Sequence, residues 1–397
     1  MTTPFTSSVI YLDYCATTPT DIRVLEAMLP YFARDFGNAA SQHHFGRIAG
    51  EAVELARSQV SGLLKCLPSD VVWTSGATES NNLAIKGVAR SVEIPRPHLI
   101  TQATEHKAVL DPFSSLHNEG FEVTVLDVDS RGRIEPENVR RAIRPNTVLV
   151  SVMTANNETG TIFPIKEIAR VCEESGVVFH TDASQAVGKI PFDVGNGNID
   201  LASLSGHKLY APKGIGALIV RKSKKLRRLN PLIDGGGHER GMRSGTLNVP
   251  AIVGFGKACE IVAKELFLER PRVEALRNNF EALLMVRLSD VRINGDTSHR
   301  LPNVSNLAFL GIDAEGLMIA LDRVAASTGS ACTASLLEPS HVLRAMNLPE
   351  EQQFASARFS FGRQTTVGEV EEAVDEIVRT VNTLRNLSST SVAQSSP

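Results

Sequence analysis

Short continuous apolar runs alternate with longer stretches of helical spacing over the first two-thirds of the chain. Residues 71–74, 98–101, 123–126, 148–151, 177–180, 201–203 and 217–220 read as strands, and amphipathic stretches such as 164–174 lie between most of them. Uninterrupted apolar strands separated by helices predict a mainly parallel seven-stranded sheet covered by helices on both faces, an α/β architecture. The texture changes after Pro250, where a helical pattern runs to about Leu288. Pro271 lies inside that pattern and is expected to kink or interrupt it. Shorter strands and helices follow, which predicts a smaller α+β domain. The division expected is a large domain at 15–261 and a small domain from 1–14 and 262–397. The Ser-rich end, 388–397, has the composition of a disordered segment.

Composition narrows the function classes. The 397 residues are 42% hydrophobic and 21% charged, as in an ordinary globular protein, and the formal net charge is -3. That balance gives no reason to expect nucleic-acid binding. The basic run Arg221-Lys222-Ser223-Lys224-Lys225 with Arg227-Arg228 follows an apolar strand and reads as a solvated turn. No apolar segment approaches the ~20 residues of a membrane span, and the first residues lack a secretion pattern. A cytoplasmic protein is expected. The five cysteines, at 15, 66, 172, 259 and 332, are odd in number and form no Cys-x-x-Cys pair, against a disulfide framework or a cysteine zinc site. His43-His44 is a poor metal pair, because adjacent residues on a helix point apart.

The chemistry concentrates where strands end. Ser205-Gly206-His207-Lys208 follows one apolar run, and His180-Thr181-Asp182-Ala183-Ser184-Gln185 ends another. A lysine behind Ser-Gly-His is the arrangement that carries pyridoxal phosphate covalently, with an upstream aspartate free to keep the ring nitrogen protonated. Either residue alone also fits a surface loop or a strand cap; the pair fits those readings poorly. Residues 74–82, Thr-Ser-Gly-Ala-Thr-Glu-Ser-Asn-Asn, lie between a strand and a helix, where converging amides and the Thr78 hydroxyl suit a phosphate. By itself this stretch also fits a plain helix cap. His106, behind Thr104-Glu105, is placed to face a ring and move protons. Asn156-Asn157-Glu158-Thr159-Gly160 ends a further strand with amides suited to a ring oxygen or a carboxylate.

Together with Tyr11-Leu12-Asp13-Tyr14-Cys15-Ala16-Thr17-Thr18-Pro19, residues 238–246 (His-Glu-Arg-Gly-Met-Arg-Ser-Gly-Thr), Gly329-Ser330-Ala331-Cys332-Thr333 and Arg358-Phe359-Ser360-Phe361-Gly362-Arg363, these blocks resemble the group I cysteine desulfurases. Those are the class V branch of fold-type I pyridoxal phosphate enzymes, and the likeness covers almost the whole chain. It implies conversion of L-cysteine to L-alanine with sulfur carried as a persulfide on Cys332. That sulfur would go to an acceptor protein such as an iron–sulfur cluster scaffold. It implies that Lys208 holds the cofactor and moves protons, that Asp182 pairs with the ring nitrogen, and that His106 stacks on the ring. Gln185 and Asn157 would address the ring oxygen, while Ala77, Thr78, Ser205 and His207 hold the phosphate. Thr246 would reach a phosphate across a homodimer boundary. Arg358, Asn157 and Asn38 would bind the substrate. No resident metal is implied. The chain has Ala39 where the family often has Pro, and Cys15 where it often has Ser or Asn. A class V aminotransferase, a cysteine lyase without a protein persulfide, and a non-catalytic hub of the same fold are the competing readings.

Overall fold

The computed structural model describes residues 9–226, 228–328 and 338–394. After a short β1 (Ile10–Tyr11) come β2 (Val71–Thr74), β3 (His98–Gln102), β4 (Glu122–Leu126), β5 (Thr147–Ser151), β6 (Val178–Asp182), β7 (Leu201–Ser205) and β8 (Gly216–Val220). The last seven are the apolar runs read from the sequence, and they form one sheet in the order β2-β8-β7-β6-β5-β3-β4. β8 is antiparallel to both its neighbours, and the other pairings are parallel. Because β8 reverses between them, β2 and β7 point the same way. Every residue of β2, β3, β6 and β7 is buried, as expected of strands covered on both faces. The edge strand β4 is only part-buried.

β9 (Val291–Ile293), β10 (Val304–Phe309), β11 (Val324–Ala325) and β12 (Ser356–Ser360) build the remainder. β12, β10 and β9 form an antiparallel sheet, and β11 pairs with β1 in parallel. A separate core lies against this sheet, centred on Phe280, Phe309, Phe359 and Phe361. The Phe280 ring stands 5.0 Å from Phe359 and 5.3 Å from Phe361 at steep angles, contacts worth about 1 kcal/mol each beyond burial.

One helix, Val249–Arg287, links the two cores. Its first half, including Ile252, Phe255 and Val262, packs with the large sheet, and Val273, Leu276, Phe280 and Leu284 belong to the smaller core. Pro271 does not interrupt it. A proline removes one hydrogen bond of the ladder, and here both flanks are buried against different cores, which outweighs that loss. The helix His341–Ala345 returns to the large core through Val342, Leu343 and Met346. The C-terminal helix runs from Val367 to Gln394, past the start of the Ser-rich stretch. Among the described residues no helix is long and apolar enough to cross a membrane.

Candidate active site

Parallel strands place their C-terminal ends on one edge of the sheet, and ligands of open α/β sheets bind outside that edge. Here the turns after β2, β3, β5, β6 and β7 converge on a cavity of about 530 Å³. Ala77, Thr78, His106, Asn157, Asp182, Gln185, Ser205, His207, Lys208 and Arg358, all singled out from the sequence, line it. Asn38 is exposed and donates nothing to this wall; its side chain accepts from the Ala40 amide at 2.9 Å. Thr246 is exposed and does not line the cavity of its own chain. Cys332 lies outside the described residues.

Lys208 ends a single turn after β7. Its Nζ donates to the carbonyls of Cys15 at 2.5 Å and Ala16 at 2.6 Å. Burial lowers its amine to about 8, so a neutral, nucleophilic form is within reach near neutral pH. The Cys15–Thr18 segment is sewn to this turn. Thr18 donates to the His207 carbonyl through its amide at 3.0 Å and its hydroxyl at 2.9 Å. Gln185 Nε2 donates to the Cys15 carbonyl at 3.0 Å. His207 Nδ1 lies 3.1 Å from the Thr17 hydroxyl, and burial beside Lys208 and Lys213 pushes its imidazole down to about 4.

Asp182 is the last residue of β6 and is buried. Its Oδ2 accepts from Asn81 Nδ2 at 2.7 Å and its Oδ1 from the Ser184 amide at 2.9 Å. Both bonds orient a carboxylate that is held ready for a cation. Behind it, the helix Ala77–Ala89 starts at Gly76 with no side-chain cap, so its first amides stay open toward the cavity. Glu79 fixes this turn by accepting from the Ser75 amide at 2.8 Å and from Arg243 Nε at 2.8 Å. That ion pair ties the 238–246 loop to the anion-binding turn. The same loop is anchored by Glu239, whose carboxylate takes the buried Arg57 guanidinium and the Trp73 amide at 2.9 Å. Glu239 and Arg240 hold left-handed φ values of 51° and 58°, a strained turn that these bonds over-determine.

His106 caps the helix Lys107–Asn118, its Nδ1 accepting from the Ala108 amide at 3.1 Å. Burial lowers its pKa, so the ring is neutral near pH 7. Arg358, on β12 of the other sheet, reaches the same cavity with its side chain 3% exposed. It donates to Asp13 Oδ1 at 2.7 Å and to the Asn157 carbonyl at 3.0 Å, and its Nε has no partner among the described residues.

Sequence reasoning gave no role to several cavity residues, among them Asn81, Ser184 and His341. Asn81 orients Asp182, and neither its own buried Oδ1 nor the Ser184 hydroxyl has a partner among the described residues. Asn81 stands in the block already marked for phosphate, but nothing local says that its amide turns to β6. His341 and the Cys15 carbonyl arrive from distant segments.

These residues fit pyridoxal phosphate. Polar atoms of Asn81, Ser184 and Arg358 that have no partner among the described residues surround a volume suited to a small cofactor and its substrate. An uncapped helix start suits the phosphate, a buried carboxylate the ring nitrogen, and a lysine of depressed pKa the aldehyde carbon.

Comparison with known proteins agrees with that geometry. Residues 10–373 match the model of the "Aminotransferase class-V" family. The chain is 54% identical to a protein named "Cysteine desulfurase IscS" from Anaeromyxobacter sp. (strain Fw109-5), over 96% of this chain and 94% of that one. It is 50% identical to the protein of that name from Rickettsia massiliae (strain Mtu5), over 96% and 92%. Among solved structures, a "NIFS-LIKE PROTEIN" superposes with a TM-score of 0.88 at 36% identity, over 95% of this chain and 100% of that one. A structure titled "SspA in complex with cysteine" gives 0.78 at 39% identity, over 88% and 98%.

Proposed function

Because the chain belongs to the aminotransferase class-V family, we propose that it is a pyridoxal phosphate-dependent cysteine desulfurase that carries sulfur on Cys332. The observation behind this reading is Lys208, a buried amine lowered to about 8, sharing one cavity with the oriented Asp182 carboxylate and the Arg358 guanidinium. When bound, the cofactor supplies an electron sink for negative charge at the substrate's α and β carbons.

The chain's residues divide the rest of the work. Lys208 holds the cofactor and moves a proton at the substrate α carbon. Asp182, fixed by Asn81 and the Ser184 amide, keeps the ring nitrogen protonated. The open amides before and after Ala77, with Thr78, Ser205 and His207, receive the phosphate. Gln185 and Asn157 lie on the ring-oxygen side, and His106 faces the ring. Arg358 takes the substrate carboxylate through its planar fork, with Asn157 and Asn38 as further substrate contacts. Asp13 already occupies one nitrogen of Arg358, so Nε and the remaining donors make the clamp.

Cys332 supplies the nucleophile. Its thiolate attacks the substrate sulfur, the S–S bond forms as the S–Cβ bond breaks, and the released electron pair at Cβ takes a proton to give alanine. Covalent connection supports this placement. Ser327 exchanges backbone hydrogen bonds with Arg358, and Ser340 bonds Glu158 at the cavity wall. Cys332 is five residues from Ser327 and eight from Ser340, and a five-residue span reaches about 17 Å.

The enzyme acts as a homodimer in the cytoplasm, with Thr246 completing the neighbouring subunit's phosphate site. Its exposed position outside its own cavity and the Arg243–Glu79 tie beside it support that role, and free thiols at Cys15, Cys66, Cys172 and Cys259 suit a reducing compartment. The sulfur acceptor is a protein such as an iron–sulfur scaffold.

Cys332→Ala tests the reading. Alanine and persulfide formation fall together by ~10³-fold or more, while the cofactor's visible band and its shift on adding cysteine persist. Release of alanine and sulfide at near wild-type rate would make the protein a lyase instead.

A further inference from the structure

Two of the three histidines that line this cavity are held by fixed hydrogen bonds that put the proton of both neutral rings on Nε2 but tie down a different nitrogen in each. The Ala108 amide can only donate, so the His106 Nδ1 that accepts from it at 3.1 Å carries a lone pair. Neutral His106 therefore bears its proton on Nε2. Burial keeps that ring neutral, and neither nitrogen then has a free lone pair: one is spent on the helix cap and the other is protonated. Neutral His106 can donate a hydrogen bond through Nε2–H. It cannot accept a proton on Nδ1 without giving up the cap of the helix Lys107–Asn118.

His341 is the reverse case. Its Nε2 lies 2.9 Å from the backbone carbonyl of Glu105, which can only accept, so Nε2 carries the hydrogen. In the neutral ring Nδ1 then holds the lone pair, and Nδ1 has no partner among the described residues. The ring lines the active cavity. Its position is fixed from three sides. Ser340 caps the helix His341–Ala345 through the Val342 amide at 3.1 Å and also bonds the Glu158 carboxylate. Val342 and Leu343 are buried in the large core. The acceptor, Glu105, immediately precedes His106, so one turn after β3 holds both rings in register.

The remaining imidazole of the cavity does not compete. His207 has Nδ1 on the Thr17 hydroxyl, and burial between Lys208 and Lys213 leaves it a weak base. The Glu105 carbonyl accepts from His341, His106 feels its charge, and the other titratable or charged groups lining the cavity with it are Glu79, Lys107, Glu158, Asp182, His207, Lys208, Lys213 and Arg358. Arg344 on its own helix is engaged with Glu338 at 3.6 Å.

We propose that His341 is the cavity's proton acceptor, taking the proton of the incoming substrate's ammonium group on Nδ1, while neutral His106 serves only as a hydrogen-bond donor through Nε2. The need is chemical. An amino acid arrives with a protonated amine, which has no lone pair to bond carbon, and one proton must leave before the amine can react. The N–H bond breaks, its electron pair stays on the substrate nitrogen, and the proton becomes the Nδ1–H of an imidazolium. Donation to the Glu105 carbonyl strengthens as that charge forms. Nothing is oxidised or reduced. This assignment rests on the desulfurase reading only for the identity of the amine-bearing substrate.

Histidine-selective ¹⁵N labelling reads the tautomers without turnover. The resonance lost in His341→Gln should be that of an Nε2-protonated ring with an unprotonated Nδ1. The resonance lost in His106→Gln should also show a bare Nδ1, and only the His341 signal should shift toward imidazolium when cysteine is added. In kinetics, His341→Gln keeps a donor for the Glu105 carbonyl and lacks the basic nitrogen. It should slow the first spectral change after mixing with cysteine by ~10²-fold at pH 7, in the range for a lost general base. The deficit should shrink as pH rises and more substrate amine is already neutral, and added imidazole should restore part of the rate. A His341 ring protonated at Nδ1 in the neutral state, or a His341→Gln rate within twofold of wild type at every pH, overturns the proposal. Wild-type protein that binds cysteine but forms no alanine would instead overturn the desulfurase reading, and leaves the tautomer measurement able to decide this one.

Discussion

The wall of the cavity contributed by the large sheet differs from the part contributed by β12 and the helix His341–Ala345. On the sheet side, Asp182, Lys208 and His106 each sit at or just beyond a buried strand's C-terminal end. Local amides orient Asp182 and His106, while Asn81 also holds Asp182 and Lys208 donates to the Cys15 and Ala16 carbonyls. Their chemistry is adjusted by burial, which lowers the Lys208 amine to about 8 and depresses His106. On the other side, Arg358 and His341 are held by partners far away in sequence: Asp13, the Asn157 carbonyl and the Glu105 carbonyl. The first group is suited to hold a fixed cofactor. The second group is suited to meet a substrate that must come and go, and its placement depends on two cores staying in register through the helix Val249–Arg287.

The sharpest break in that comparison is Lys208→Ala. It removes the amine on the fixed wall without touching the packing, since only Cys15 and Ala16 carbonyls lose a donor. Turnover of cysteine should fall by ~10³-fold or more and the covalent cofactor band should vanish, with the folded-state circular dichroism unchanged. Retained activity would remove Lys208 from the mechanism.

Arg358→Lys probes the second group and should act differently. A lysine keeps the charge but loses the fork that Asp13 and a carboxylate would share. KM for cysteine should rise ~10- to 100-fold with a smaller change in kcat, and the cofactor band should stay. An effect on cofactor binding as large as that on KM would erase the distinction between the two sides.

The smallest effect is one of stability. Glu105 is fully buried, and burial pushes its carboxyl up to about 8 from 4.5. Its Oε1 accepts from the Met153 amide at 2.6 Å and from Gln102 at 3.0 Å, and Oε2 has no partner among the described residues. A raised pKa means that the folded state keeps a proton the unfolded chain has released between those two values, so stability falls as pH rises through that window. Glu105→Gln mimics the protonated form at every pH. Its melting temperature should exceed that of wild type by a few degrees at pH 8, and the gap should close by pH 5. A variant less stable than wild type at pH 8 would show that Glu105 is held as a carboxylate.

Both the seven strands and most of the cavity were legible in the amino-acid order. Buried parallel strands must be apolar throughout, and the turns at their ends must carry the polar groups, so five of the seven strands announced a turn that lines the cavity. Ser205-Gly206-His207-Lys208 and Asp182 are local patterns of that kind. Asn81, Ser184 and His341 were not found this way, because what distinguishes them is a partner or a missing partner from another element. The continuity of the helix Val249–Arg287 through Pro271 was also misjudged, since a local penalty was outweighed by packing on two separate cores.

The sequence by itself determined the sheet, the lysine and aspartate at its strand ends, and the presence of the thiol at Cys332 on which the proposed reaction depends. These follow from short-range rules: period of hydrophobicity, turn chemistry and the reactivity of a side-chain type. Only the tertiary structure decided which oxygen of Asp182 meets Asn81, how far the Lys208 amine is desolvated, and which nitrogen of His106 and His341 bears the proton. Protonation and orientation depend on the dielectric and on partners supplied by residues tens or hundreds of positions away, and no local pattern records those.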